Sequence, residues 1–80
     1  MKNKQQPTHQ IRIGAVIASI WEHESQSSKY YNVTFSRSYR EKGEEEWKYS
    51  DSFGRDDLLV LAKVSDLAHT FIYEKLQHKD

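Results

Sequence analysis

Few residues in this chain have the types and spacing to do chemistry. Glu22, His23 and Glu24 offer two carboxylates and an imidazole in a row, donors that a divalent metal accepts. Consecutive residues of a strand point to opposite faces, so the three do not converge, and no second cluster of ligands follows. The run reads as a solvated turn, with no metal and no cofactor. Asp56 and Asp57 are adjacent carboxylates. On a helix they point about 100° apart, and favourable charge at a helix N-terminus explains both. His69 is a lone histidine on the C-terminal helix. Ser50, Ser52, Asp51 and the histidines make a triad only on paper, because nothing in their spacing requires one. There is no nucleophile-elbow glycine pattern and no phosphate loop. An enzyme is not expected, and no catalytic residue is assigned.

A binding surface is easier to build. Tyr30, Asn32, Thr34, Ser36, Ser38, Arg40, Lys48, Ser50 and Ser52 would share the outward face of a hairpin. Hydroxyls and bases on one face suit phosphate contacts. At the hairpin tip, Arg37, Tyr39, Trp47 and Tyr49 would cluster on the other face. Aromatic rings interleaved with arginine are what single-stranded nucleic acid stacks against. The acidic Glu44, Glu45 and Glu46 beside that tip oppose phosphate binding there. With Arg12 added from the first strand, the candidate nucleic-acid-binding residues are Arg12, Tyr30, Arg37, Tyr39, Arg40, Trp47, Lys48 and Tyr49.

The elements that would position these residues follow from periodicity. Ser52 to Leu76 carries the only long helical repeat. Leu58, Leu61, Val64, Ala68, Phe71, Ile72 and Leu76 fall on one side, with Val60 and Leu67 at its edge and Lys63, Asp66, Thr70, Glu74 and Gln77 opposite. Gly54 allows a sharp turn into this helix. Ile11 to Glu22 reads as one strand, rich in β-branched residues, with Ile11, Ile13, Ala15, Ile17 and Trp21 on one face and Arg12, Gly14, Val16, Ala18 and Ile20 on the other. Gly14 would mark a bulge or a close backbone approach. His23 to Lys29 is a polar connection. Tyr30 to Arg40 alternates apolar and polar, a half-buried antiparallel strand. Glu41 to Glu45 is a loop around Gly43, and Glu46 to Phe53 alternates again.

The expected fold is α+β: a three-stranded antiparallel meander followed by one long C-terminal helix packed on one sheet face. The helix would cover Val33, Phe35, Phe53 and the isoleucine face of the first strand. Met1 to Gln10 would be a disordered tail, and residues 11–78 a single β-β-β-α domain. The apolar arc is wider than the stripe of about 100° that one small sheet requires. That excess, with the marginal size of an 80-residue domain, predicts a homodimer through Val60, Val64, Leu67 and Phe71.

Composition narrows the setting. Twelve basic and twelve acidic residues cancel, so no global field draws the chain to nucleic acid or membrane. There is no cysteine, which fits a reducing cytoplasm. No apolar run approaches a membrane span, and the N-terminus lacks a signal-peptide core.

Tyr49 to Val64 (YSDSFGRDDLLVLAKV), Ile11 to Gly14 with the Ile20-Trp21-Glu22 end, and Tyr31 to Phe35 (YNVTF) resemble a signature of small uncharacterised bacterial proteins. That resemblance covers about residues 10–76 and implies a bacterial source with no assigned activity. In layout alone, strands followed by one long helix resembles the single-stranded-DNA-binding coactivators of the positive-cofactor-four type and their Whirly relatives. It implies a dimer that binds single strands on its sheet. The chain is neutral and lacks a sizeable basic N-terminal region. The functional expectation is therefore a small protein that binds single-stranded nucleic acid, DNA in particular, in a regulatory or accessory role. The rival is a protein–protein interaction module without nucleic acid.

Overall fold

The structure, a computed structural model, describes residues 6–77. It is α+β: an antiparallel sheet with one C-terminal helix packed against it. Four strands, not three, form the sheet: β1 His9–Ile13, β2 Val16–Ser25, β3 Ser28–Tyr39 and β4 Lys48–Ser50, in that spatial order. A 3-10 turn over Arg55–Asp57 leads into α1, Leu58–Gln77.

The extra strand arises at Gly14. The stretch expected as one strand folds back on itself, so that Ile13 pairs with Val16 across a two-residue turn of Gly14 and Ala15. Gly14 has φ +61, the left-handed value a two-residue hairpin with glycine in first place needs. A Cβ at Gly14 would meet nothing within 4 Å, so dihedral strain alone selects glycine there. The turn also changes which side chains share a face. Ile11 and Ile13 join Val16, Ala18 and Ile20 under the helix, whereas Ile17 and Trp21 turn to the other side with Arg12. His9 and Gln10, expected in the tail, belong to β1, and Thr8 donates its amide to the Ile20 carbonyl at 2.8 Å. Residues 1–5 and 78–80 lie outside the described residues.

The polar run His23 to Lys29 is mostly strand. β2 and β3 stay paired to Ser25 and Ser28, around Gln26 at φ 53. The last strand is shorter than expected. β4 covers only Lys48–Ser50, paired as Arg37 with Ser50, Ser38 with Tyr49 and Tyr39 with Lys48.

The core is the seam between sheet and helix. Val16, Ala18 and Ile20 of β2 and Val64 and Ala68 of α1 are buried, with Val33, Phe35 and Phe53 packed against them as the periodicity predicts. Phe71 stacks on His9 of β1, ring centroids 4.3 Å apart. The Gly54 amide donates to Asp57 Oδ2 at 3.0 Å, and the Asp57 amide donates to the Gly54 carbonyl at 2.9 Å. This reciprocal pair satisfies amides at the start of the helical segment.

Gly14→Ala is expected to lower stability by about 1–2 kcal/mol, the cost of a left-handed dihedral for an L-residue. Urea denaturation of both proteins measures the difference.

Candidate nucleic-acid interface

The strand registers assign every side chain to a face. α1 covers the face that carries His9, Ile11, Ile13, Val16, Ala18, Ile20, Tyr31, Val33 and Phe35. The opposite face has no covering element among the described residues. It presents Gln10 and Arg12 from β1, and Ile17, Ser19, Trp21 and His23 from β2. From β3 come Tyr30, Asn32, Thr34, Ser36 and Ser38, and from β4 Tyr49. No strand residue on this face is acidic. The strand carboxylates Glu22 and Glu24 fall on the helix side, where Glu22 takes Lys29 at 3.3 Å. A hydrogen bond that Lys29 donates to the Glu22 carboxylate, reinforced by that carboxylate's charge, holds the Lys29 ammonium above its ordinary pKa.

The open face is held in place by its own hydrogen bonds. Gln10 donates to Ser19 Oγ at 3.0 Å. Arg12 donates from Nε to the Gly14 carbonyl and from Nη2 to Ser38 Oγ, each at 3.0 Å. The Arg12 side chain thus reaches from β1 across β2 to β3. Ile17, the cross-strand partner of Arg12, is only 6% exposed on this face. Trp21 Nε1 donates to Thr34 Oγ1 at 3.0 Å. His23 hydrogen-bonds Asn32 Oδ1 and stacks on Tyr30, centroids 5.0 Å apart. Tyr30 and Tyr49 stand 54% and 63% exposed, so their rings are open to a ligand.

The expected site residues are divided by this geometry. Arg12, Tyr30 and Tyr49 reach the open face. Arg40 lies just past β3 with its guanidinium over the exposed Trp47 ring, 4.9 Å from the centroid. Arg37, Tyr39 and Lys48 point to the helix side. Arg37 donates to the Ser52 carbonyl at 3.0 Å and meets Asp57 at 3.5 Å, tying β3 to the helix start. Tyr39 lies 5.9 Å from the same guanidinium. Lys48 is held by Glu41 and Glu44, each at 3.6 Å.

The platform of Arg37, Tyr39, Trp47 and Tyr49 therefore does not form. It assumed that Arg37 and Tyr49 share a face, but Tyr49 pairs with Ser38. A one-residue change of register moves a strand's side chains to the other face. The same slip removes Lys48 and Ser50 from the outward face. Trp21 and His23 were missed as surface aromatics. Gly-Ala between two apolar runs was the available signal of a two-residue hairpin, and it would have placed Trp21 on the same face as Arg12.

Other candidates are placed as follows. Val64 is 0% exposed within its own chain, Val60 and Phe71 pack on the same core, and Leu67 is half-buried at its margin. This face of the helix is occupied by the chain's own sheet and is not a free dimer surface. Among the described residues no three acidic or histidine side chains gather as for a metal ion, and no helix is long and apolar enough to cross a membrane. A shallow depression beside β4, lined by Ser36, Tyr39, Tyr49, Ser50 and Asp51, contains neither histidine nor a basic side chain. No protein-family model matches the chain, and no match was found among curated proteins or solved structures.

Arg37→Met is expected to lower stability by about 1 kcal/mol, through its lost hydrogen bond and half-exposed ion pair. It leaves the open face unaltered. Thermal unfolding together with a ligand titration checks both parts.

Proposed function

We propose that this protein binds single-stranded nucleic acid, DNA in particular, on the open face of its sheet, in an accessory or regulatory role. The observation that supports this reading is segregation. A chain of zero formal net charge keeps every acidic strand side chain off the face where Arg12, Trp21, His23, Tyr30 and Tyr49 lie. A phosphate chain meets no strand carboxylate there. Ring faces accept bases of any identity, and the hydroxyl and amide side chains between them suit sugar and phosphate oxygens. The single arginine among these strand residues implies modest affinity, with stacking as the larger contribution. A cysteine-free chain is compatible with a cytoplasmic setting.

A second reading, a protein–protein interaction module, has its own observation. Part of β3 has an edge with no partner strand among the described residues, and that feature is independent of the open face.

The test is an anisotropy titration of a labelled single-stranded oligonucleotide, repeated across salt concentrations. Binding is expected to weaken with salt and to favour single strands over duplex. Arg12→Gln removes the charge and keeps a polar side chain, and should reduce the salt slope by about one. Tyr30→Ala should cost about 1–3 kcal/mol for a lost stacked base, and Lys48→Ala should leave the slope unchanged. No binding at micromolar protein in low salt removes the nucleic-acid reading.

A further inference from the structure

β3 is the longest strand, Ser28–Tyr39, yet β4 pairs with it only at Arg37, Ser38 and Tyr39. From Ser28 to Ser36 its outer side has no partner strand among the described residues. In an antiparallel ladder successive residues direct their backbone groups to alternate sides. Ser28 closes a two-residue hairpin with Ser25, so Ser28, Tyr30, Asn32, Thr34 and Ser36 bond to β2. Lys29, Tyr31, Val33 and Phe35 direct their N–H and C=O groups outward, in line with Arg37 and Tyr39, which meet β4. The other edges are shorter or interrupted: β1 turns Gln10 and Arg12 outward, β2 beyond β1 turns Glu22 and Glu24 outward, with the Glu22 amide donating to Thr8 Oγ1, and β4 turns Tyr49 outward.

The open edge borders unfinished core. Tyr31, Val33 and Phe35 are only partly buried. On α1, Phe71 leans toward β1 through His9. The opposite flank, toward β3, carries Leu61 and Ile72, and beyond them Leu58 and Leu76, 51% and 52% exposed.

We propose that this edge pairs antiparallel with the same edge of a second copy, about a two-fold axis at Asn32. That register aligns Ser28 with Ser36 and uses the whole edge. Lys29 then meets Phe35, and Tyr31 meets Val33, so each outward backbone group finds an outward group opposite. The apolar side chains under the two helices become one continuous core. The only charge in the paired segment, Lys29, is already matched by Glu22 of its own chain. A second copy fits better than an unrelated peptide, because a two-fold pairing matches apolar face to apolar face on both sides at once. The two sheets join into one, with both open faces on the same side.

The chain contains no cysteine, so single cysteines report the register. Asn32→Cys places two thiols across the axis, with Cβ atoms about 4.5–5.5 Å apart, close to disulfide range. Thr34→Cys, exposed on the same face, places them about 14 Å apart. Light scattering of the wild-type protein should give twice 9.5 kDa. Mild oxidation should link Asn32→Cys and leave Thr34→Cys unlinked, with circular dichroism confirming that both are folded. A wild-type monomer at the highest attainable concentration overturns the proposal. So does a dimer in which Asn32→Cys fails to link, or in which Thr34→Cys links as readily. The experiment uses no nucleic acid, so its outcome is separate from that of the binding test.

Discussion

Everything in this molecule depends on the seam where Val16, Ala18 and Ile20 of β2 meet Val64 and Ala68 of α1. These residues are between 0% and 2% exposed. Two of them are alanines, and short side chains on both surfaces let helix and sheet approach closely. Apolar surface removed from water contributes about 25 cal/mol per Å², and here that burial is concentrated in one strip along β2. The strands on either side of it are only half covered. One helix over a four-stranded sheet leaves one flank of apolar residues on β3 and another on the helix.

That arrangement separates the molecule's two surfaces. The helix-covered face receives the branched apolar side chains together with Glu22, Glu24, Lys29, Arg37 and Lys48. Lys29, Arg37 and Lys48 are each matched with a carboxylate. Arg37 does structural work there, because it reaches Asp57 at the point where the chain turns into the helix. The opposite face keeps aromatic rings, hydroxyls, amides and one arginine. Its polar side chains bond to one another across strands, which fixes their positions before any ligand arrives. The proposed nucleic-acid surface and the proposed copy-to-copy edge are thus products of the same segregation: one uses the face without carboxylates, the other the strand that β4 leaves unpaired.

Much of the fold was legible in the residues. The helix from Leu58 onward, the antiparallel order of the strands, and the packing of Val33, Phe35 and Phe53 against the helix all follow from periodicity, because side chains repeat every two residues in a strand and about every 3.6 in a helix. The split of the first strand was less legible. Ile11 to Glu22 is apolar on both faces, and such a run reads as one buried strand until Gly14 is allowed a positive φ. The candidate site suffered twice from parity. The Gly14-Ala15 turn moved Trp21 and His23 onto the open face, and the register of β4 moved Lys48 off it.

The sequence by itself determined that antiparallel strands precede one long helix, that this helix must cover one face, and that its apolar arc is wide. Those properties are local: they depend on the order of side-chain types along a few turns or a few alternating positions. Only the tertiary structure decided which faces coincide. Face assignment depends on the residue at which two strands pair, and pairing Tyr49 with Ser38 instead of Arg37 changes it completely. The tertiary structure also decided that Val64 belongs to the chain's own core, and that Tyr31, Val33 and Phe35 beside the β3 edge stay only partly buried. Both follow from where a rigid helix settles across a sheet wider than itself.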